Sequence, residues 1–104
     1  MSYRPVYTDD ARQDMADIAE YLSQFYPSTA RNFSDEMKKK VRLLKDNQYM
    51  YPVYEDDPYF RRMVINDYLF FYNVNEDRHL IIIHRIIHSS RDINKIIKTA
   101  RLEI

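Results

Sequence analysis

The sequence predicts an α+β fold in which helices come first and strands follow. Two successive apolar stripes at the helical spacing of three and four occupy the first half of the chain. Three β-branched and aromatic runs, separated by short turn sequences, occupy the second half. In a chain of 104 residues this leaves room for one core, with a helical layer lying on one sheet. We therefore treat residues 1–104 as a single domain.

Tyr3 to Tyr7 reads as a first strand that joins the same sheet, with Pro5 confining it to an edge or to an unpaired N–H position. Thr8 is placed to cap a helix, and Asp9 and Asp10 follow where the helix dipole favours anions. Ala11, Met15, Ile18, Leu22 and Phe25 form its stripe, and Tyr26-Pro27 stops it. Ser28 is the expected cap of a second helix with the stripe Ala30, Phe33, Met37, Val41 and Leu44. The short connection implies an antiparallel hairpin. Asn47 to Pro58 breaks the pattern with tyrosines, prolines and Glu55-Asp56-Asp57, and reads as a loop. Tyr59–Ile65, Tyr68–Val74 and His79–Ile87 are strand-like, joined through Asn66-Asp67 and Asn75-Glu76-Asp77-Arg78 as a three-stranded antiparallel meander. Ser89 to Asp92 has the Ser-x-x-acid spacing of a helix start ahead of Ile93, Ile96 and Ile97, so a short C-terminal helix or extension closes the β-α-α-β-β-β order.

Composition removes several chemistries. With no glycine, the phosphate loops and dinucleotide fingerprints that need close backbone approach are excluded, as is the glycine-flanked serine elbow. Turns that require positive φ must then fall on Asn and Asp. With no cysteine there is no disulfide, thiolate metal site or cysteine nucleophile. No apolar run is long enough to cross a bilayer and no signal peptide is visible, which predicts a cytoplasmic protein without a membrane partner. Net charge is zero, so no global field draws the chain to nucleic acid. Locally, Arg85, Arg91, Lys95, Lys98 and Arg101 face only Asp92, which leaves the last segment basic.

Polar groups able to do chemistry gather on the strands. Arg61 and Arg62 have opposite parity, so one of them points to an open face of the sheet. In the last strand, alternation puts His79, Ile81, Ile83, Arg85 and Ile87 on one face, and Leu80, Ile82, His84, Ile86 and His88 on the other. Arginines beside tyrosines can cradle a phosphate, and a histidine alongside could move a proton during attack by a 2′-hydroxyl. The competing expectation is that these arginines pair with Asp57, Asp67 or Asp92 at the rim. His84 and His88 do not make a metal pair: four apart on a strand they lie about 13 Å from each other, and no third ligand is evident. Neither a metal nor a cofactor is expected.

Thr8-Asp9-Asp10-Ala11 leading into a helix, Tyr59-Phe60-Arg61-Arg62-Met63-Val64-Ile65, Tyr68-Leu69-Phe70-Phe71-Tyr72 and Ile87-His88-Ser89-Ser90-Arg91-Asp92 together resemble the RelE/ParE toxin superfamily. The resemblance spans nearly the whole chain and includes the element order. It implies the toxin half of a bacterial type II toxin–antitoxin pair, held inactive by a cognate antitoxin. RelE-like members act as ribosome-dependent, metal-independent mRNA endoribonucleases, whereas ParE-like members poison DNA gyrase. Carried over by position, Arg61 or Arg62 matches the strand arginine, Arg85 a second phosphate-binding arginine, and His88 a histidine acid/base, all catalytic only in the ribonuclease case. Ser89 stands where ribonuclease members place a tyrosine, and the Tyr51–Asp57 loop is acidic where they offer lysines. These departures favour the ParE-like branch, with gyrase rather than the ribosome and mRNA as target. A third expectation is a degenerate member that only binds an antitoxin.

Overall fold

The computed structural model of the chain describes residues 2–104. Its elements are β1 (Arg4–Tyr7), α1 (Asp9–Leu22), α2 (Pro27–Leu44), β2 (Arg61–Ile65), β3 (Tyr68–Asn75), β4 (Leu80–His88) and α3 (Ile93–Leu102). The α+β class and the element order are those the sequence predicts. One four-stranded sheet has the order β1-β4-β3-β2. The meander β2-β3-β4 is antiparallel, whereas β1 joins it by parallel pairing to β4, from Arg4 opposite Leu80 to Tyr7 opposite Ile83. The sheet is therefore mixed. Pro5 lies on the edge strand, as its missing N–H requires.

Both helices of the hairpin press their stripes on one face of this sheet. Ala11, Ile18, Phe33, Val41 and Leu44 bury against Met63, Ile65, Phe70, Tyr72, Ile81, Ile83 and Ile86. Phe25 is not part of that stripe, because α1 ends at Leu22 and leaves Phe25 57% exposed. Pro27 begins α2 rather than only ending α1: it takes the first helical position, where its missing N–H costs nothing, and Tyr26, not Ser28, is the cap residue.

The opposite face is not open. Phe60, Leu69, Phe71 and Ile87 form a second, smaller core with Ile97 of α3. Asp92 caps this helix by accepting from the Lys95 N–H, so the helix starts after Asp92 and not at Ser89. Polar ties hold α3 down. Tyr54 donates to Asn94, whose amide donates to Asp56 at 3.0 Å, while Arg101 sits 3.9 Å from the Tyr59 ring centroid and 3.5 Å from Asp57.

One extra residue in β4 changes what that strand presents. Phe71 lies opposite Arg85 but Tyr72 lies opposite Ile83, so His84 bulges between them. Alternation therefore resets at His84: Ile81, Ile83 and Ile86 face the helical hairpin, while Ile87 faces α3. The uninterrupted alternation expected from the sequence does not hold, and Arg85, opposite the α3-side Phe71, leaves the face of Ile81 and Ile83. Positive φ falls on Asn66 at 53°, as expected, and also on His79 at 54°, whose ring packs edge-on against Tyr3. Histidine tolerates this region better than most side chains do.

Truncation of the α3 anchor tests the second core. Ile97→Ala, at a site 2% exposed, is expected to cost about 2–4 kcal/mol in urea unfolding and to speed amide exchange in α3 more than in α2.

Candidate functional site

Pairing with β1 ends at Ile83, and beyond it α1 takes over the outer edge of β4. Thr8 donates its backbone N–H to the Ile83 carbonyl and its hydroxyl to the His84 carbonyl, and accepts from the Ala11 N–H as the α1 cap. Two turns on, Asp14 accepts from the Ile86 N–H at 2.9 Å and from Arg85 through both oxygens, at 2.7 and 3.0 Å. The carboxylate thus stands where the carbonyl of a neighbouring strand would stand, and neutralises a guanidinium as well. This bidentate bond, ahead of the opposing effect of burial, holds the Arg85 pKa above its ordinary value.

The same junction walls a pocket of about 310 Å³ between α1, the end of β4 and the start of α3. Asp17 and Tyr21 line it from α1, Tyr68 from β3, and Arg85, His88 and Arg91 from β4 and the turn after it. The His88 ring lies edge-on to Tyr68, with centroids 5.1 Å apart. Its Nδ1 accepts from the Ser90 N–H at 3.1 Å and sits 2.8 Å from the Ser90 hydroxyl. A backbone donor at Nδ1 leaves Nε2 to carry the proton in the neutral ring. Arg85 and His88 therefore share one pocket despite their different faces, because α1 crosses the strand edge between them.

Arg61 and Arg62 are not part of it. Both sit on β2, two strands from β4, which is about 10 Å across the sheet. Arg61 lies under the 49–51 loop, donating to the carbonyls of Tyr51 at 2.7 Å and Tyr49 at 3.4 Å, with its guanidinium 4.8 Å from the Tyr49 ring centroid. Arg62 is exposed, and the register sets it in a row with Phe71 and Arg85. Phe71, between them, is buried in the α3 core. The four residues named from sequence thus divide into a pair at the pocket, a loop clamp and an exposed edge arginine. Asp57 is engaged at the rim, but with Arg101 and not with any of those arginines.

Asp14 was the residue that sequence reading passed over. Its signal was present, since a carboxylate three residues from Ala11 and four from Ile18 lies within the apolar stripe of α1. Ser90 had no comparable signal, because its bond to His88 depends on the turn after β4. Two further polar groups are fixed by burial. His84 sits against the Phe60 and Tyr59 rings, with Nε2 3.0 Å from Asn73 Oδ1, and burial lowers its pKa to about 4. The Tyr72 hydroxyl donates to the Gln48 carbonyl, and burial raises its pKa to about 12. Among the described residues no group of three or more His, Cys, Asp or Glu could hold a metal ion, and no helix is long and apolar enough to cross a membrane.

Residues 6–93 match the family model described as the ParE toxin of type II toxin–antitoxin system, parDE. The chain belongs to the ParE toxin family. Solved structures show the same fold at low sequence identity. The ParDE toxin–antitoxin system of P. aeruginosa is 20% identical with a TM-score of 0.69, over 84% of this chain and 96% of that one. The toxin–antitoxin complex RelBE2 of Mycobacterium tuberculosis is 14% identical with a TM-score of 0.60, over 85% and 99%. A mutant of E. coli toxin RelE in the free state is 11% identical with a TM-score of 0.71, over 100% and 99%. No curated protein sequence matches the chain. The ParE-family chain thus keeps the superfamily sheet and hairpin while spending its strand-end arginine on an internal carboxylate.

Two outcomes follow from this geometry. Asp14→Ala strands a partly buried guanidinium and an N–H together, and is expected to cost about 3 kcal/mol in urea unfolding, against about half of that for Asp14→Asn, which keeps an oxygen for Ile86. His84 stays neutral in the fold down to about pH 4, whereas in the unfolded chain it takes up a proton near 6.5. The unfolded state therefore binds more protons in that window. Stability should fall as pH drops from about 6.5 to 4, by up to roughly 3 kcal/mol, and His84→Gln should flatten that slope in pH-dependent denaturation.

Proposed function

We propose that this chain is a growth-arresting toxin that acts by binding, as a ParE-like poison of DNA gyrase, and that a cognate antitoxin holds it inactive. The observation that carries this is the bidentate Arg85–Asp14 pair. A phosphate-gripping arginine must give up its internal carboxylate before it can grip anything, and here that carboxylate also closes the strand edge. Arg61 is committed to loop carbonyls, so no three-arginine cradle surrounds His88. A protein-binding mode needs no such cradle. The family match and the likeness to toxin–antitoxin complexes support both the toxin role and the antitoxin partner.

A second reading, a ribosome-dependent mRNA endoribonuclease, is favoured by one feature. His88 shares its pocket with Arg85 and Arg91 and has its Nε2 free of the Ser90 turn. In that case His88 would pass a proton while Arg91 faced the scissile phosphate, without metal or cofactor.

Gyrase supercoiling of relaxed plasmid, measured with the purified chain, separates the two alongside mapping of ribosome-bound transcripts during induced expression. Inhibited supercoiling with intact transcripts is expected, and His88→Ala should change the inhibition by less than about twofold. Transcripts cut at codon boundaries, with cutting lost in His88→Ala, would reverse the assignment to the ribonuclease. Growth unaffected by expression would instead indicate a member that retains only antitoxin binding.

A further inference from the structure

The carboxylates and the cations of the helical hairpin face in different directions. Asp14 and Asp17 of α1 line the pocket at the end of β4, and Asp9 and Asp10 line a second hollow beside the end of α3. All four thus look away from α2, which lies over the β2 side of the sheet, where Lys40 reaches the Val64 carbonyl. Arg12 is exposed and stands two residues from Asp14. Helical spacing brings it out on the opposite side of α1, toward α2.

The solvent side of α2 is cationic. Arg31, Lys38, Arg42 and Lys45 recur at spacings of seven, four and three, which makes one straight row about 21 Å long. Lys39 stands beside it, and all five are exposed. Asp35 lies between Arg31 and Lys38, and Asp46 follows the helix. The ion pairs among the described residues are Lys40–Glu36, Arg85–Asp14 and Arg101–Asp57, so no carboxylate holds any of the five. Like charges three or four positions apart on a helix repel. The helix dipole offsets this for Arg42 and the cap residue Lys45, but its reach ends before Lys38 and Arg31.

The chemistry of the row selects its partner. It carries no aromatic ring on which an unpaired base could stack, and single strands are held on such platforms. A protein partner is ordinarily anchored by buried aromatic or apolar groups, and Leu43, the exposed large apolar residue of α2, lies off the row. A phosphate backbone needs neither, because released counterions supply the affinity. A straight, rigid row of charge suits the regular backbone of a duplex.

We propose that Arg12 and the α2 row Arg31, Lys38, Arg42 and Lys45 form a surface that binds the sugar–phosphate backbone of duplex DNA without reading its sequence. In the gyrase reading given above, on which this role rests, the surface meets the DNA that the enzyme holds.

Fluorescence anisotropy of a labelled DNA duplex of about 20 base pairs, titrated with the purified chain, tests the surface directly. Binding should be indifferent to base sequence and weaken about 100-fold between roughly 50 and 200 mM salt, as four phosphate contacts require. Lys38→Gln with Arg42→Gln and Lys45→Gln should weaken it by about tenfold or more and lower the salt slope by about three. The same variant should need about fivefold more protein to half-inhibit gyrase supercoiling, and unchanged inhibition overturns the role on the enzyme's DNA. Lys95→Gln with Lys98→Gln, on α3, should leave DNA binding within about twofold; a loss there instead overturns α2 as the surface. Circular dichroism of each variant confirms that the fold is kept. A chain that inhibits supercoiling but binds no DNA at about 50 mM salt overturns the proposal and leaves the gyrase reading standing. DNA binding that is lost in the α2 variant, by a chain without effect on supercoiling, keeps the surface and removes the gyrase reading. Tighter binding of oligouridine, or of duplex RNA of the same length, overturns DNA as the partner in favour of RNA.

Discussion

Asp14 stands where four requirements of this fold meet. The sheet needs its β4 edge closed once β1 has ended, α1 needs a fixed crossing over that edge, Arg85 needs a counter-charge, and the Ile86 N–H needs an acceptor. One carboxylate meets all four. Ion pairs removed from water are not strong stabilisers in net terms, because desolvation offsets most of the attraction. Their value lies in the cost of being broken, and this pair is both partly shielded and shared with the backbone. Geometry, more than net energy, is what it provides.

The consequence for function is that both faces of the sheet carry a packed core, and the second face stays exposed only toward Arg62 and Val64 of β2. The hairpin covers one side and α3 the other, so the binding surface moves to the strand edge and the rims. Placing α3 over the second face also covers Phe71, which lies between Arg62 and Arg85 in the same row. The two arginines thus stand two strands apart, about 10 Å, with a buried ring between them. What stays accessible around His88 is a groove walled by α1 and α3, mixed in charge and aromatic at its centre.

The long loop before β2 contributes by holding rather than by acting. Arg61, Tyr72 and the bridge between Val53 and Arg61 pin it to the hairpin-side rim, and Tyr54 with Asp56 and Asp57 receives α3. The outer edge of β2 is also blunted. Pro52 and Val53 pair with its start, and the Lys40 ammonium donates to the Val64 carbonyl near its end at 3.2 Å. A lysine so placed discourages edge-to-edge association. The end of β4, by contrast, keeps a recess.

Periodicity determined a good deal here. The stripes Ala11–Leu22 and Ala30–Leu44 and the three aromatic and β-branched runs follow from side-chain spacing alone, and so does the element order. Local signals erred only by a few residues, at Ser28 and Ser89, where proline and aspartate competed for the same helix starts. Tertiary structure decided the rest, because those features depend on residues far apart in the chain. The bulge at His84 resets the alternation of β4 and arises from pairing with β3, which no local pattern encodes. Parallel pairing of β1 depends on α1 turning back across β4, and Arg85 finds its partner 71 residues earlier. Sequence fixes which side chains a strand carries; only packing decides which of them meet, and whether a charge meets its counter-ion inside the protein or outside it.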